Sequence, residues 1–265
     1  MQLNQARILL TGATGGLGMA LARQLAAGGA KALVAGRDTE ADMGRLAILA
    51  GELGAGHGQV AGDLSTAAGI AKVAAAARDF GANVLINNAG IGGFGLFDEQ
   101  EWATVDAVLA TNLAAPMHLT HALLPHLKAR PQAAIVNIGS MFGSLPFAGF
   151  VAYSAAKAAL RAFSQGLRRE LADTRVAVIH VAPRAIATPL NTPAVDALNR
   201  ELKTAYDQPA QVAARIVAAL RGGAGEHHIG FPEKLFAWIN GLAPGIIDNG
   251  VAGKLEAIKR HATTR

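Results

Sequence analysis

The chain of 265 residues has no cysteine, two tyrosines and two tryptophans. The missing thiols exclude disulfides, thiolate metal sites and a cysteine nucleophile. No uninterrupted apolar stretch reaches membrane-spanning length. The N-terminus, MQLNQARILLTGATGG, runs straight from a strand-like segment into glycines. It has no apolar leader with a cleavage site, so a cytoplasmic protein is expected. Lys and Arg outnumber Asp and Glu by 24 to 19, a net charge of +5. No run of five or more basic residues accompanies that excess, which favours a small anionic ligand over nucleic acid.

What the chain has in quantity is small and apolar: 51% of residues are hydrophobic and 31 are glycine. That suffices for a sizeable core. Short apolar runs occur at ARILL (6–10), ALVAG (32–36), GQVAGDL (58–64), NVLINNAG (83–90), AAIVNIGS (133–140) and RVAVIHVAP (175–183). Helix-like stretches lie between them at 19–29, 39–53, 66–79, 99–128 and 153–172, with another at 208–221. Runs that are apolar throughout suit strands buried on both faces. Their alternation with helices implies βαβ units. The predicted fold is α/β: a doubly wound, Rossmann-like parallel sheet flanked by helices on both faces, one domain over 1–222. Residues 223–265 are expected to form a C-terminal extension.

TGATGGLG (11–18) follows the first strand and opens the first helix. Gly12, Gly16 and Gly18 there supply a tight turn, close backbone approach to a phosphate and close helix–strand packing. A phosphate at that position meets free N–H groups and the positive end of the helix dipole. The residues after the second strand select the dinucleotide: an acid binds the adenosine ribose 2′-hydroxyl, an arginine a 2′-phosphate. Gly36 stands where the acid is expected, and Arg37 follows. This favours NADP(H) over NAD(H), with Asp38 as an alternative partner for the ribose.

YSAAK (153–157) places Tyr153 and Lys157 four residues apart, on one helical face. A free phenol has a pKa of about 10. A nearby cation favours its ionised form. Lowering the pKa by two to three units requires about 3–4 kcal/mol of differential stabilisation. Ser140 ends the AAIVNIGS segment, at the sheet edge where ligands bind. Asn112 lies inside the long 99–128 helix, an unfavourable place for asparagine.

Taken in order, TGATGGLG, Asp63, NNAG (87–90), Asn112, Ser140, YSAAK and PRAIAT (183–188) resemble the motifs of the short-chain dehydrogenase/reductase family, over about 1–190. The resemblance implies a one-domain NAD(P)(H)-dependent enzyme interconverting an alcohol and a carbonyl. It implies Asn112, Ser140, Tyr153 and Lys157 as the catalytic set. Tyr153 is then the acid in reduction and, as tyrosinate, the base in oxidation. Ser140 polarises the substrate oxygen, Lys157 also binds the nicotinamide ribose, and Asn112 distorts its helix and holds a water of a proton relay. Cofactor contacts are expected from Gly12, Thr14, Gly16, Leu17, Gly18, Arg37, Asp63 at adenine, Leu64, Asn88, Ala89, Gly90, Tyr153, Lys157, Pro183 and Thr188 at the carboxamide. Arg184 departs from the family, which often has glycine after the proline. No metal is expected: His118, His121 and His126 have spacings of three and five with no carboxylate partner, and His227-His228 are read the same way.

Phe142, Leu145, Pro146, Phe147 and Phe150 stand between the serine and the tyrosine and would wall the substrate pocket. Residues 188–206 would close over it. The tail 229–255 carries Leu235, Phe236, Trp238, Ile239, Leu242, Ile246 and Ile247. It is open to three readings: a pocket extension, an interfacial membrane anchor, or core and subunit packing. The expected partner is a hydrophobic aldehyde or ketone, and the expected assembly a homodimer or homotetramer. Two further readings compete: a dinucleotide-binding sensor without chemistry, and a membrane-peripheral protein acting through its tail.

Overall fold

The apolar runs become the strands of one sheet, with a helix after each crossover. A computed structural model describes residues 1–263. In chain order the elements are β1 (Arg7–Leu10), α1 (Gly16–Ala27), β2 (Lys31–Gly36), α2 (Glu40–Leu53), β3 (Gly58–Ala61), α3 (Ala67–Asp79) and β4 (Val84–Asn87). Then come α4 (Trp102–Leu109), α5 (Ala115–Lys128), β5 (Ala133–Ile138), α6 (Val151–Glu170), β6 (Val176–Pro183), α7 (Pro193–Glu201), α8 (Pro209–Gly222) and β7 (Gly225–Ile229). The chain closes with α9 (Glu233–Leu242), α10 (Pro244–Ala252) and α11 (Leu255–Ala262). The sheet order is β3-β2-β1-β4-β5-β6-β7, parallel throughout.

Two apolar layers cover the sheet. On one face Leu21, Leu25, Leu46, Val212 and Ile216 pack on Ile8, Leu10 and Val34. On the other Val73, Leu119, Leu123 and Leu167 pack on Leu9, Leu85 and Ile135. No helix of the described residues is long and apolar enough to cross a membrane.

Two expectations change. The helix foreseen at 99–128 is interrupted by a turn of π-helix at Ala110–Ala114, between α4 and α5. The domain boundary at 222 falls just before β7, so the first residues of the supposed extension complete the sheet on β6. β7 reads Gly-Glu-His-His-Ile; a half-buried, polar edge strand carries no apolar signature.

A row of polar residues crosses the sheet in register: Asn87, Asn137, His180 and Glu226, on β4 to β7. Asn87 Nδ2 donates to Asn137 Oδ1 at 2.8 Å, and Asn137 Nδ2 to Ser164 Oγ of α6 at 2.9 Å. His180 Nδ1 lies 3.3 Å from the same hydroxyl. These groups are buried but satisfy one another. Arg161 and Gln165 of α6 close the row on Glu226.

Burial pushes the His180 imidazole down to about 4, so it is neutral in the folded protein. The unfolded chain, with a histidine of ordinary pKa, binds the extra proton first as pH falls. The stability associated with this residue is therefore complete above about pH 6.5 and is lost toward pH 4, by about 3 kcal/mol. Urea titrations of wild type and His180→Asn should give a stability difference that changes by that amount across the window. A difference constant from pH 7 to 4 would refute it.

Candidate active site

The carboxyl ends of β1, β4, β5 and β6 deliver the candidate residues to one side of the sheet. The glycine loop comes first. Gly12 has a positive φ of 63°, and a Cβ there would come within 2.7 Å of Ala89 Cα. A Cβ on Gly18 would overlap the Gly12 carbonyl. Both positions therefore need glycine. The loop is braced on the end of β4: Asn88 Nδ2 donates to the carbonyls of Thr11 and Gly12 at 3.0 and 3.1 Å. The Thr11 hydroxyl accepts from the Asn88 and Ala89 amides, both at 3.0 Å. Gly15 caps α1 and offers no side chain to its N–H groups. The first amides of the helix are thus left to a ligand oxygen, which fits a pyrophosphate.

Around the loop stand other expected cofactor residues. Thr188 closes on Gly16, where a Cβ would lie 3.0 Å from the threonine methyl. Leu17 is buried in the first core layer, and Leu64 packs on the second. The Asp63 carboxylate accepts from Ser65 N and Oγ at 2.8 and 2.7 Å, and these bonds hold its pKa below the usual value. Pro183 ends β6 opposite Ile229. Arg37 is exposed and turns to Asp42, to which its Nε donates at 2.7 Å.

The four candidate catalytic residues converge on the same edge. Ser140 caps the turn Met141–Gly143, its Oγ accepting from Phe142 N at 3.2 Å. Its side chain faces the Tyr153 hydroxyl and favours the ionised form of the phenol. That turn lies directly on α6, since a Cβ on Gly143 would come within 2.8 Å of the Lys157 carbonyl. Lys157 is 5% exposed, and its Nζ donates to Ile138 O at 3.0 Å and lies 5.7 Å from the Tyr153 ring centre. Burial pushes the ammonium down to about 8. Burial also pushes the Tyr153 phenol up, and Ser140 offsets part of that rise. The protein alone thus favours the protonated phenol, the form expected of the acid in reduction. The physical reason is desolvation, which disfavours the anion.

Asn112 is fully buried in the π-turn. Its Nδ2 donates to Ile91 O at 2.9 Å, and its Oδ1 accepts from Ile91 N at 3.2 Å. The amide thus holds the loop after β4. Gly90 sits between Asn112 and Lys157: a Cβ there would be 2.7 Å from Asn112 Oδ1 and 3.7 Å from Lys157 Nζ.

Aromatic rings enclose the phenol. Phe142 and Phe150 meet Tyr153 edge-on, with centres 6.4 and 6.3 Å away. Phe147 stacks on Phe142 at 5.4 Å, and Phe94 packs on Phe150 at 5.0 Å. Phe94 was not foreseen; its signal was the glycine-flanked Phe soon after NNAG. Gly149, with φ +79°, lets the Phe94 ring approach the backbone.

Arg184 has a definite role in the loop. It pairs with Asp207 at 2.8 Å and Glu233 at 3.5 Å, and its stem crosses Gly230, which leaves it room. The arginine ties the loop after β6 to the segment before α8 and to the tail. In that tail no residue of α9 or α10 is buried, which removes core packing as their role. Asn240 donates to Ser144 O at 3.1 Å, so α9 lies beside the Ser140 loop. Among the described residues no group of three or more His, Asp or Glu is placed to hold a metal.

Comparison with known proteins agrees with this geometry. The family model for short chain dehydrogenases matches residues 6–199. The D-beta-hydroxybutyrate dehydrogenase of Cupriavidus necator is 34% identical over 197 residues, 74% of this chain and 76% of that protein. A short chain dehydrogenase from Burkholderia cenocepacia, solved in complex with NADP, superposes with a TM-score of 0.80 at 26% identity, covering 95% of this chain and 99% of that one. One from Burkholderia phymatum, solved with NAD, has a TM-score of 0.83 over 93% and 96% of the two chains; at 23% identity it speaks for the fold alone. With the glycine cradle, the parallel sheet and a family match over most of its length, the chain belongs to the short-chain dehydrogenases and is an NAD(P)(H)-dependent oxidoreductase acting between alcohol and carbonyl.

Proposed function

We propose that the protein is an NADPH-dependent carbonyl reductase whose substrate is a hydrophobic aldehyde or ketone. The observation that carries this is the Tyr153 phenol, facing Ser140 and boxed by phenylalanines, with a buried ammonium behind it. When bound, the cofactor supplies the hydride. The chain does the rest. Ser140 Oγ holds the substrate oxygen, and Tyr153 Oη gives its proton to that oxygen as negative charge develops. A phenol kept protonated by its surroundings suits reduction at neutral pH. Lys157 provides the positive charge that stabilises the phenolate left behind. Asn112 acts through the Ile91 loop, keeping Gly90 and Lys157 in place.

The ring of Phe94, Phe142, Phe147 and Phe150 favours an apolar substrate, because it offers contact area and few hydrogen-bond partners. For the cofactor, the residue at the end of β2 is Gly36 rather than the acid that would bind a ribose 2′-hydroxyl, and a Cβ there would be a tight fit against Leu46 and Thr14 at 3.3 Å. Arg37, next in sequence, favours the 2′-phosphate of NADP(H). A homodimer or homotetramer fits the exposed Trp102 and Met117 on α4 and α5.

NADPH oxidation by wild type should rise with the apolar chain length of an aldehyde series, and Tyr153→Phe should lower kcat by about 10²–10⁴-fold while cofactor still binds. Rates that ignore chain length would sink the apolar pocket; an active Tyr153→Phe would sink the acid. The kcat/KM for reduction should hold level from pH 6 and decline above about 8, as Lys157 loses its proton. Gly90→Ala should push Asn112 aside and lower kcat/KM by about a hundredfold with the fold intact by circular dichroism. Wild-type activity in that variant would release Asn112 from its positioning role.

A further inference from the structure

The most unusual charge outside the catalytic set is Asp42. On α2 the buried positions are Asp42, Leu46 and Leu49, an i, i+4, i+7 stripe on which an apolar residue is expected at 42. The carboxylate is 2% exposed, and burying it is unfavourable unless it is paired. Its pairing is specific. Oδ2 accepts from Arg37 Nε at 2.7 Å, while Oδ1 lies 3.7 Å from Arg45 Nη1. Thr39, the cap of α2, accepts from the Asp42 amide at 3.3 Å, and the hydroxyls of Thr39 and of Thr14, in the glycine loop, favour the charged carboxylate. Burial alone would raise its pKa, but these groups and the Arg37 charge outweigh it and hold the carboxyl below its usual value. A carboxylate so occupied has little capacity left for a ribose hydroxyl.

Its effect falls on the two arginines. Arg37 and Arg45 are 71% and 63% exposed, yet each faces a different oxygen of one fixed anion. Because Arg37 is held through Nε, its two Nη groups stay clear for a planar, bidentate contact. Thr14 ties the arrangement to the loop that cradles the pyrophosphate.

We propose that Asp42 is a positioning residue for cofactor choice: it fixes Arg37 and draws in Arg45, so that two guanidinium groups seat the 2′-phosphate of NADP(H). This rests on the NADPH reading above and adds to it the buried carboxylate and the second arginine.

The test measures binding of NADPH and of NADH, separately, to the full-length protein by nucleotide fluorescence. Asp42→Asn keeps the size and the threonine contacts but removes the charge. It should weaken NADPH by about tenfold and leave NADH within about twofold. Arg45→Ala changes an exposed side chain, so folding is not at stake, and should weaken NADPH selectively too. Added to an Arg37→Ala, Arg45→Ala double variant, Asp42→Asn should change the NADPH:NADH ratio no further, because it acts only through the two arginines. Parallel weakening of both nucleotides by Asp42→Asn would make its role purely structural and overturn the proposal. So would wild-type ratios in both Asp42→Asn and Arg45→Ala when Arg37→Ala loses the preference. A wild type without preference, unchanged by Arg37→Ala, would instead sink the NADPH reading and this inference with it.

Discussion

A lysine ammonium sealed among strands and helices is the constraint around which the site is arranged. Lys157 is 5% exposed and rests on one backbone carbonyl, that of Ile138. A charge in that position is tolerated only when neighbouring dipoles are fixed toward it. Several close approaches follow. Gly143 brings the Ser140 turn down onto the Lys157 backbone, and Gly90 leaves the gap between Lys157 and the Asn112 amide. The π-turn lets the amide of Asn112 clamp both the N–H and the carbonyl of Ile91, from inside what would otherwise be a regular helix. Each of these features, taken singly, disturbs regular structure. Together they hold an ammonium, a phenol and a hydroxyl at one sheet edge.

The polar row beneath that edge serves the same end by rigidity. Asn87, Asn137 and His180 take core positions in three adjacent strands and are satisfied by each other, by Ser164 of α6 and by Thr120 of α5. A register slip by one residue would turn every one of them onto the opposite face, where apolar side chains wait. The row therefore pins β4, β5 and β6 against one another and α6 above them. Ser140 follows β5 by two residues, and Tyr153 and Lys157 ride on α6, so their spacing inherits that register.

How much of this could be read from the residues depended on how each one declares itself. β1, β2, β4, β5 and β6 were legible because both of their faces are buried and the run is apolar throughout. β7 was not, because it is an edge strand of Glu and His whose place is set by Arg161 and Gln165 from a distant helix. The glycine loop, Ser140, Tyr153 and Lys157 were legible as ordered motifs. Asp42 was not: a carboxylate early in a helix reads as a favourable charge at the N-terminus, and only the fold turns it inward to Thr14. For Tyr153 the spacing reveals the charged neighbour Lys157, but not the burial that opposes ionisation of the phenol in the protein alone.

The tail carries none of the candidate catalytic residues, yet it is tied to the loops around them. It is fastened at both ends and, through Asn240 on Ser144, between them. At its start Glu233 joins Arg184, in the loop leading to Thr188. At its end Ile258 is fully buried against Gly149, and Arg260 and His261 reach Glu201 of α7 at 3.2 and 2.7 Å. Between these anchors α9 and α10 leave Trp238, Leu242 and Ile246 more than 60% exposed. The segment 188–206 that would fold over a substrate is thus linked to the tail from both sides. Any movement of α7 must stretch or carry α11. For the apolar substrate proposed above, the exposed apolar face of α9 beside the Ser144 loop would offer the first contact and the Phe rings beside Tyr153 the last.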